Sequence, residues 1–264
     1  MDDAEILRRF DAELRRAPVQ ADPAYRVEQL PDVTRIVGPG PGVYDNFVQW
    51  SRLDAASANA AITREAAFFA SQGRSVEWKL YGHDTPADLG QRLEVAGFVP
   101  EEPETLVALD LGGALPPPVD PAGVTIERVI DPVRFGAIDD LMAAVYGSDD
   151  DWRSEVLGAE LAAAPDRLSV YLAMADGHCV SAGWVRFHPG TGFADLWGGA
   201  TRPHWRGRGI YRALVAKRAA EARERGFNFL TVDASSESRP ILERLGFRSL
   251  TTTTPYIREA RPAA

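Results

Sequence analysis

The stretch Arg206-Gly207-Arg208-Gly209-Ile210-Tyr211 constrains this chain more than any other. It follows an apolar, strand-like run, Phe193 to Thr201. It precedes a segment in which Leu214, Val215, Ala219 and Ala222 recur at helical spacing up to Gly226. The predicted order is strand, tight turn, helix. Two glycines let the backbone bend sharply and approach a ligand, and the first turn of a helix presents amide hydrogens with no acceptor inside the helix. The helix dipole favours negative charge at the same place, so the turn predicts an anion site with a phosphate-bearing cofactor as its natural occupant. A Walker loop is excluded, because Ile210-Tyr211 stands where Lys-Ser or Lys-Thr is required. A dinucleotide fold fits poorly, since the turn lies near the C-terminal end with Tyr211 and Arg212 where the glycine pattern must continue. The plain alternative is an arginine-rich helix start with no ligand.

Taken with its surroundings, the turn resembles the central signature of the GNAT superfamily of N-acetyltransferases: Arg or Gln, two residues, Gly, one residue, then Gly or Ala. Arg206, Gly209 and Tyr211 hold these positions, and Tyr211 departs from the small residue of the pattern. Downstream, Asn228 to Val232 reads as a buried strand and Glu237 to Leu245 as a helix. The run Ile241-Leu242-Glu243-Arg244-Leu245-Gly246-Phe247 is similar to the family's Tyr-Glu-Lys-Leu-Gly-Phe ending, and Gly246 also satisfies what a helix stop requires. The resemblance implies acetyl-CoA as acyl donor, its pyrophosphate gripped by the amides of Arg206, Gly207, Arg208, Gly209, Ile210 and Tyr211. It further implies that main-chain groups of Gly199, Ala200 and Thr201 hold the pantetheine arm and that Ser235 touches the cofactor. For Ser235 a turn or cap is the alternative. Gly198-Gly199 reads equally as a strand bulge opening the sheet or as a packing feature.

Organisation follows from composition. The stretch Gly112 to Pro121 combines glycines with a proline run, the composition of a linker, and divides the chain near its middle. Beyond it the predicted elements are a strand at Val124–Val129, helices at Pro132–Val145 and Trp152–Ala164, and strands at Leu168–Ala175 and His178–Phe187 around an Asp176-Gly177 hairpin signal. The first half repeats part of this order: a helix at Ala58–Ser71, a strand at Val76–Leu80, a helix at Pro86–Ala96, Gly97-Phe98, and a strand at Leu106–Leu111. Its helix is preceded by Arg52 to Ser57, with no glycine. The expected fold class is therefore α/β (α+β) with two GNAT-like domains, each a mixed, mostly antiparallel sheet flanked by helices. Residues 1–111 form a degenerate GNAT-like domain without a cofactor loop, 112–122 a linker and 123–264 the acetyltransferase domain. An unrelated small α/β domain is the alternative for the first half. The two halves are expected to pack as an internal pseudo-dimer, making the chain a monomer or a homodimer.

A net charge of -9 argues against nucleic acid and anionic membrane as partners, although Arg202, Arg206, Arg208 and Arg212 form a local basic cluster fit for a small polyanion. One cysteine, Cys179, excludes an internal disulfide and a Cys-rich zinc site, and reads as a packed thiol. No apolar run reaches the length of a membrane span, and a cytoplasmic protein is expected.

Acetyl transfer to an amine needs a held donor, a base for the ammonium and a proton for the departing thiolate. Asp195, eleven residues before Arg206, occupies the place where the histone-acetylating branch of the superfamily carries a base glutamate. Partly desolvated among Phe193, Leu196 and Trp197, it is expected to have a raised proton affinity. The alternative is an outward, solvated strand residue. The acid is less evident. Many family members use a tyrosine where this chain has Leu242, so Tyr256 or Tyr211 is a candidate donor, as is water. His204 reads as a surface residue, while His83, His178 and His188 fall in turn-like contexts; none has an expected role and their scatter implies no metal. The expected acceptor is a small-molecule or protein amine; Asp149, Asp150, Asp151 and Glu155 are in keeping with a cationic one, and a solvated acidic loop is the plainer account of them. The rival reading is a non-catalytic module that binds acyl-CoA and regulates.

Overall fold

The structure is a computed structural model, and it describes residues 1–18, 24–147 and 152–260. In chain order its principal elements are α1 (Asp3–Phe10), β1 (Arg26–Gln29), β2 (Val33–Val37), β3 (Asn46–Ser51), α2 (Ala58–Ser71), β4 (Val76–Tyr81), α3 (Leu89–Val95), β5 (Val99–Pro100) and β6 (Glu104–Asp110). They continue as β7 (Thr125–Val129), α4 (Gly136–Tyr146), α5 (Trp152–Ala163), β8 (Leu168–Ala175), β9 (His178–Phe187) and β10 (Phe193–Thr201). The chain ends with α6 (Ile210–Glu224), β11 (Phe229–Ala234), α7 (Arg239–Arg244) and β12 (Arg248–Arg258). Among the described residues no helix is long and apolar enough to cross a membrane.

The chain divides into two compact units, but not by a single cut in the linker. One comprises Met1–Val107, Asp233–Arg239 and Ser249–Ala264; the other comprises Ala108–Val232 and Pro240–Arg248. The expected boundaries 1–111, 112–122 and 123–264 therefore miss an exchange of chain ends. β12 closes the first unit because it pairs antiparallel with β4, from Thr253↔Tyr81 to Arg258↔Val76. Leu111 serves the second unit, donating its amide to the Asn228 carbonyl.

In the first unit β1, β2 and β3 form an antiparallel meander, and β3 pairs parallel with β4 through the crossover helix α2. The apolar side chains of α2 and α3, including Ile62, Phe69 and Leu93, bury against Val48, Trp78 and Tyr256 of the sheet. In the second unit the strand order is β11-β10-β9-β8-β7, antiparallel except for the β10/β11 pair. Alternation along the strands feeds two cores. Leu168, Val170, Leu172, Ala182 and Trp184 pack against α4 and α5, while Tyr171, Ala173 and Val180 pack against Ile210 and Leu214 of α6. Both units are thus mixed, mostly antiparallel sheets flanked by helices.

Candidate functional site

The site is built around a fork between β10 and β11. Their parallel register covers Phe193↔Phe229, Ala194↔Leu230 and Asp195↔Thr231 and extends no further. On its other side β10 stays paired with β9 but is bulged between Trp197 and Ala200. Gly198 makes the bulge possible. Its φ is +65°, and a Cβ there would lie 1.9 Å from the Trp184 ring, so a side chain is excluded twice over. The bulge is further held by Arg218 of α6. This buried guanidinium donates through Nη1 to the carbonyls of Trp184 and Trp197, at 3.1 and 3.2 Å, and through Nε to its own helix at Leu214. Burial pulls its affinity for the proton down to a pKa of about 10.

β10 leads directly into the two-glycine turn. Gly207 and Gly209 have φ of +76° and +82°, and Gly209 caps α6 with no side-chain hydrogen bond. The first bond at this helix end runs from Ala213 N to Gly209 O, which leaves the amides of Ile210, Tyr211 and Arg212 without an acceptor inside the helix. Arg206, Gly207 and Arg208 are exposed; Arg206 reaches back to the Thr201 carbonyl, and the Arg208 guanidinium lies 4.5 Å from the Trp205 ring centre. Of the strand residues, Gly199 is exposed in the bulge. The carbonyls of Ala200 and Thr201 are already engaged, by Ser181 Oγ and Arg206 Nε respectively.

The matching place in the first unit is filled differently. Ahead of α2, the Asp54 carboxylate accepts from Ala56 N, Ser57 N and Ser57 Oγ at 3.0, 2.8 and 2.7 Å. There the carboxylate folds back on the turn that precedes α2 and α2 itself has no side-chain cap, whereas the turn before α6 carries two glycines and no carboxylate.

Other predicted residues fall elsewhere. Asp195 is not an outward, solvated residue: one oxygen is hydrogen-bonded to His188 Nε2 and the other to the Trp197 indole N–H. Its proton affinity is lowered rather than raised. Burial acts to raise it, but the charge and hydrogen bond of His188, the Trp197 bond and nearby Arg186 outweigh burial. The same contact raises His188, against burial and the charges of Arg186 and Arg167. His188, to which sequence reasoning gave no role, is therefore part of the site. Its signal was local: His188-Pro189-Gly190 turns β9 into β10 and sets residues 188 and 195 side by side.

Tyr256 lies in the core of the first unit, opposite Trp78, and a Cβ on Gly90 would meet its hydroxyl at 2.5 Å. That placement corrects its expected role as proton donor. Ser235 also belongs to the first unit, where its hydroxyl accepts from Ser238 N at 3.3 Å and its carbonyl accepts from Arg239 N at 2.9 Å, the capping alternative. Leu242 is fully buried. Tyr211 is the tyrosine at the fork: its ring sits against Gly199, and burial raises its phenol. Cys179 is buried, which pushes its thiol up to about 11 and makes it inert. Asp149, Asp150 and Asp151 lie outside the described residues.

Comparison with known proteins bears on the fold that carries these residues. The acetyltransferase (GNAT) family model matches residues 137–247, the span from α4 to the start of β12. A GCN5-related N-acetyltransferase from Kribbella flavida superposes with a TM-score of 0.69 at 18% identity, covering 99% of this chain and 95% of that one. A tandem GNAT protein from the clavulanic acid biosynthesis pathway gives 0.66 at 14% identity over 99% and 95%. A GCN5-related N-acetyltransferase from Sphaerobacter thermophilus gives 0.63 at 17% identity over 99% and 86%. At these identities the likenesses speak for fold, across nearly the whole chain. Among proteins of curated function none matches. Residues 137–247, which hold the fork, the bulge and the two-glycine turn, thus match the acetyltransferase (GNAT) family model.

Proposed function

We propose that this chain transfers an acetyl group from acetyl-CoA to an amine by direct attack. The observation that carries the reading is the continuity of three features: the fork after Asp195, the bulge at Trp197–Ala200, and the two-glycine turn ahead of first-turn amides that have no acceptor inside α6. Acetyl-CoA, when bound, supplies an acyl thioester and a diphosphate. The residues present fit both ends of it. Amides from Arg206 to Tyr211 bind the diphosphate, with Arg206, Arg208 and Arg212 adding positive charge. The open main chain around Gly199, with Ala200 and Thr201, receives the pantetheine arm as an added strand. Tyr211, whose ring packs against Gly199 of the bulge, is the donor assigned here to the departing thiolate. The glycine-free stretch Arg52 to Ser57 ahead of α2 supports a single cofactor site per chain, in the second unit.

The acceptor is a small-molecule or protein amine. A lone buried thiol fits a reducing compartment, the cytoplasm. A second reading, a module that binds acyl-CoA without turnover, draws on one observation: Leu242, packed in the core, stands where the resembling enzymes carry a tyrosine. One experiment decides. Calorimetry with acetyl-CoA is expected to give one site per chain, and thiol release from acetyl-CoA is expected to depend on an added amine. Binding with no amine-dependent thiol from a broad panel supports the module, and no binding removes both readings.

A further inference from the structure

We infer that His188 accepts the proton of the acceptor's ammonium and that Asp195 is the residue that positions it, an assignment that rests on the acyl-transfer reading above. Geometry places the pair where the reaction needs it. Asp195 is the last residue of β10 paired with β11, so the carboxylate stands at the apex of the fork, two residues before the bulge. Both of its oxygens are engaged, by His188 Nε2 and by the Trp197 indole, which leaves the carboxylate fixed and a poor acceptor of further protons. The imidazole is in the opposite condition. With Nε2 committed to Asp195, its Nδ1 makes no hydrogen bond among the described residues, and a neutral ring in that tautomer presents Nδ1 as a lone-pair acceptor. The side chains of His188 and Asp195 are 25% and 18% exposed, so the ring is reachable from solvent or through one water.

Charged groups from each neighbouring element tune the pair. Arg186 on β9 is the register partner of Asp195. It is tied to Glu160 of α5 through a bidentate ion pair at 2.8 Å, and its guanidinium lies 4.9 Å from the Trp197 ring centre. Arg167, just before β8, also acts on His188. These two cations oppose an imidazolium, and the Asp195 carboxylate favours it. The ring therefore gains a proton readily without being locked in the charged form.

The step balances without any further reactant. An N–H bond of the acceptor ammonium breaks, its electron pair stays on nitrogen, and an Nδ1–H bond forms. The neutral amine then bonds to the acyl carbon as the carbon–sulfur bond breaks, the nitrogen gives up a second proton that ends on the departing thiolate, and His188 returns its own to water.

The test uses the full chain with acetyl-CoA and two probe amines, ethylamine, which is an ammonium at neutral pH, and trifluoroethylamine, which is largely a free base there. Wild-type protein is expected to release thiol with both. His188→Gln is expected to lose about 100-fold in kcat/KM with ethylamine, together with the rising limb of its pH profile, and to stay within a few-fold with trifluoroethylamine. Equal loss with both amines, or none with either, overturns the assignment while leaving acyl transfer intact. A wild-type protein that releases thiol with neither amine, nor with any of the broader panel, overturns the functional reading and this assignment together. Independently of turnover, the His188 imidazole followed by NMR in the free protein is expected to titrate above its ordinary range and to fall back in Asp195→Asn; an unchanged titration overturns the pairing.

Discussion

The ring of Tyr211 occupies the space that a side chain at position 199 would need: a Cβ built on Gly199 lies 2.8 Å from Tyr211 Cε2. Position 211, where the GNAT signature has a small residue, holds a tyrosine here, and the glycine on the strand facing it leaves room for the ring. Gly199→Ala is expected to cost about 1–3 kcal/mol through overpacking and to weaken acetyl-CoA binding by displacing the ring into the fork. Adding Tyr211→Ala to that variant is expected to recover most of the binding loss. Calorimetry on the two single variants and the double variant checks this, and additive losses would break the link between the residues.

Arg218 is a buried cation whose hydrogen bonds, among the described residues, all go to backbone carbonyls, two of them on the cross-strand pair Trp184 and Trp197 where the bulge begins. Replacing it with Met removes the charge but leaves the Trp184, Trp197 and Leu214 carbonyls without that donor. Arg218→Met is therefore expected to lose about 2 kcal/mol or more in urea unfolding and to weaken acetyl-CoA binding along with stability. Gly183→Ala is expected to act in the same direction, since its Cβ would come within 2.7 Å of the guanidinium. Unchanged binding in a folded Arg218→Met protein would show that the bulge holds without it.

Much of the second unit was legible because its signals are local. The turn at 206–211 carries glycines where positive φ is required, the hairpin at Asp176-Gly177 announces itself, and helical spacing marks α6. What escaped depends on partners distant in sequence. β12 reads as a closing strand, but nothing in Arg248 to Arg258 says that it pairs with β4, and that pairing sends Tyr256 into the first unit's core. The His188–Asp195 contact is of another kind, only seven residues apart across the β9/β10 turn; position on the strand marks Asp195, but its proton affinity follows from the side chain across that turn.

The His188–Asp195 pair predicts a signature in stability. His188 binds its proton more tightly folded than unfolded, so its contribution is full below its ordinary value of 6.5 and is lost as pH rises through the higher folded value. Asp195 binds its proton less tightly when folded, so its contribution is present above 3.8 and is lost as pH falls through the lower folded value. The stability difference between wild type and Asp195→Asn, from urea unfolding at stepped pH, is expected to be largest between those ordinary values and to shrink on both sides. A difference flat across pH would mean that the contact does not couple the two groups.

The turn itself separates stability from binding. Around Gly207 a Cβ would meet no protein atom within 4 Å, so the positive φ is its only structural demand. Gly207→Ala is expected to cost about 1–2 kcal/mol of backbone strain. If the amides of this turn grip a diphosphate, the added methyl or the relaxed backbone also disturbs their convergence, and the affinity for acetyl-CoA falls by more than the strain alone accounts for. Gly73 and Gly226 serve as controls, having positive φ and open surroundings but lying just beyond the C-terminal ends of α2 and α6. Alanine at either is expected to cost similar stability and to leave affinity unchanged. Thermal melts paired with calorimetry on the three variants check the contrast, and equal affinities in all three would place the diphosphate away from residues 206–211.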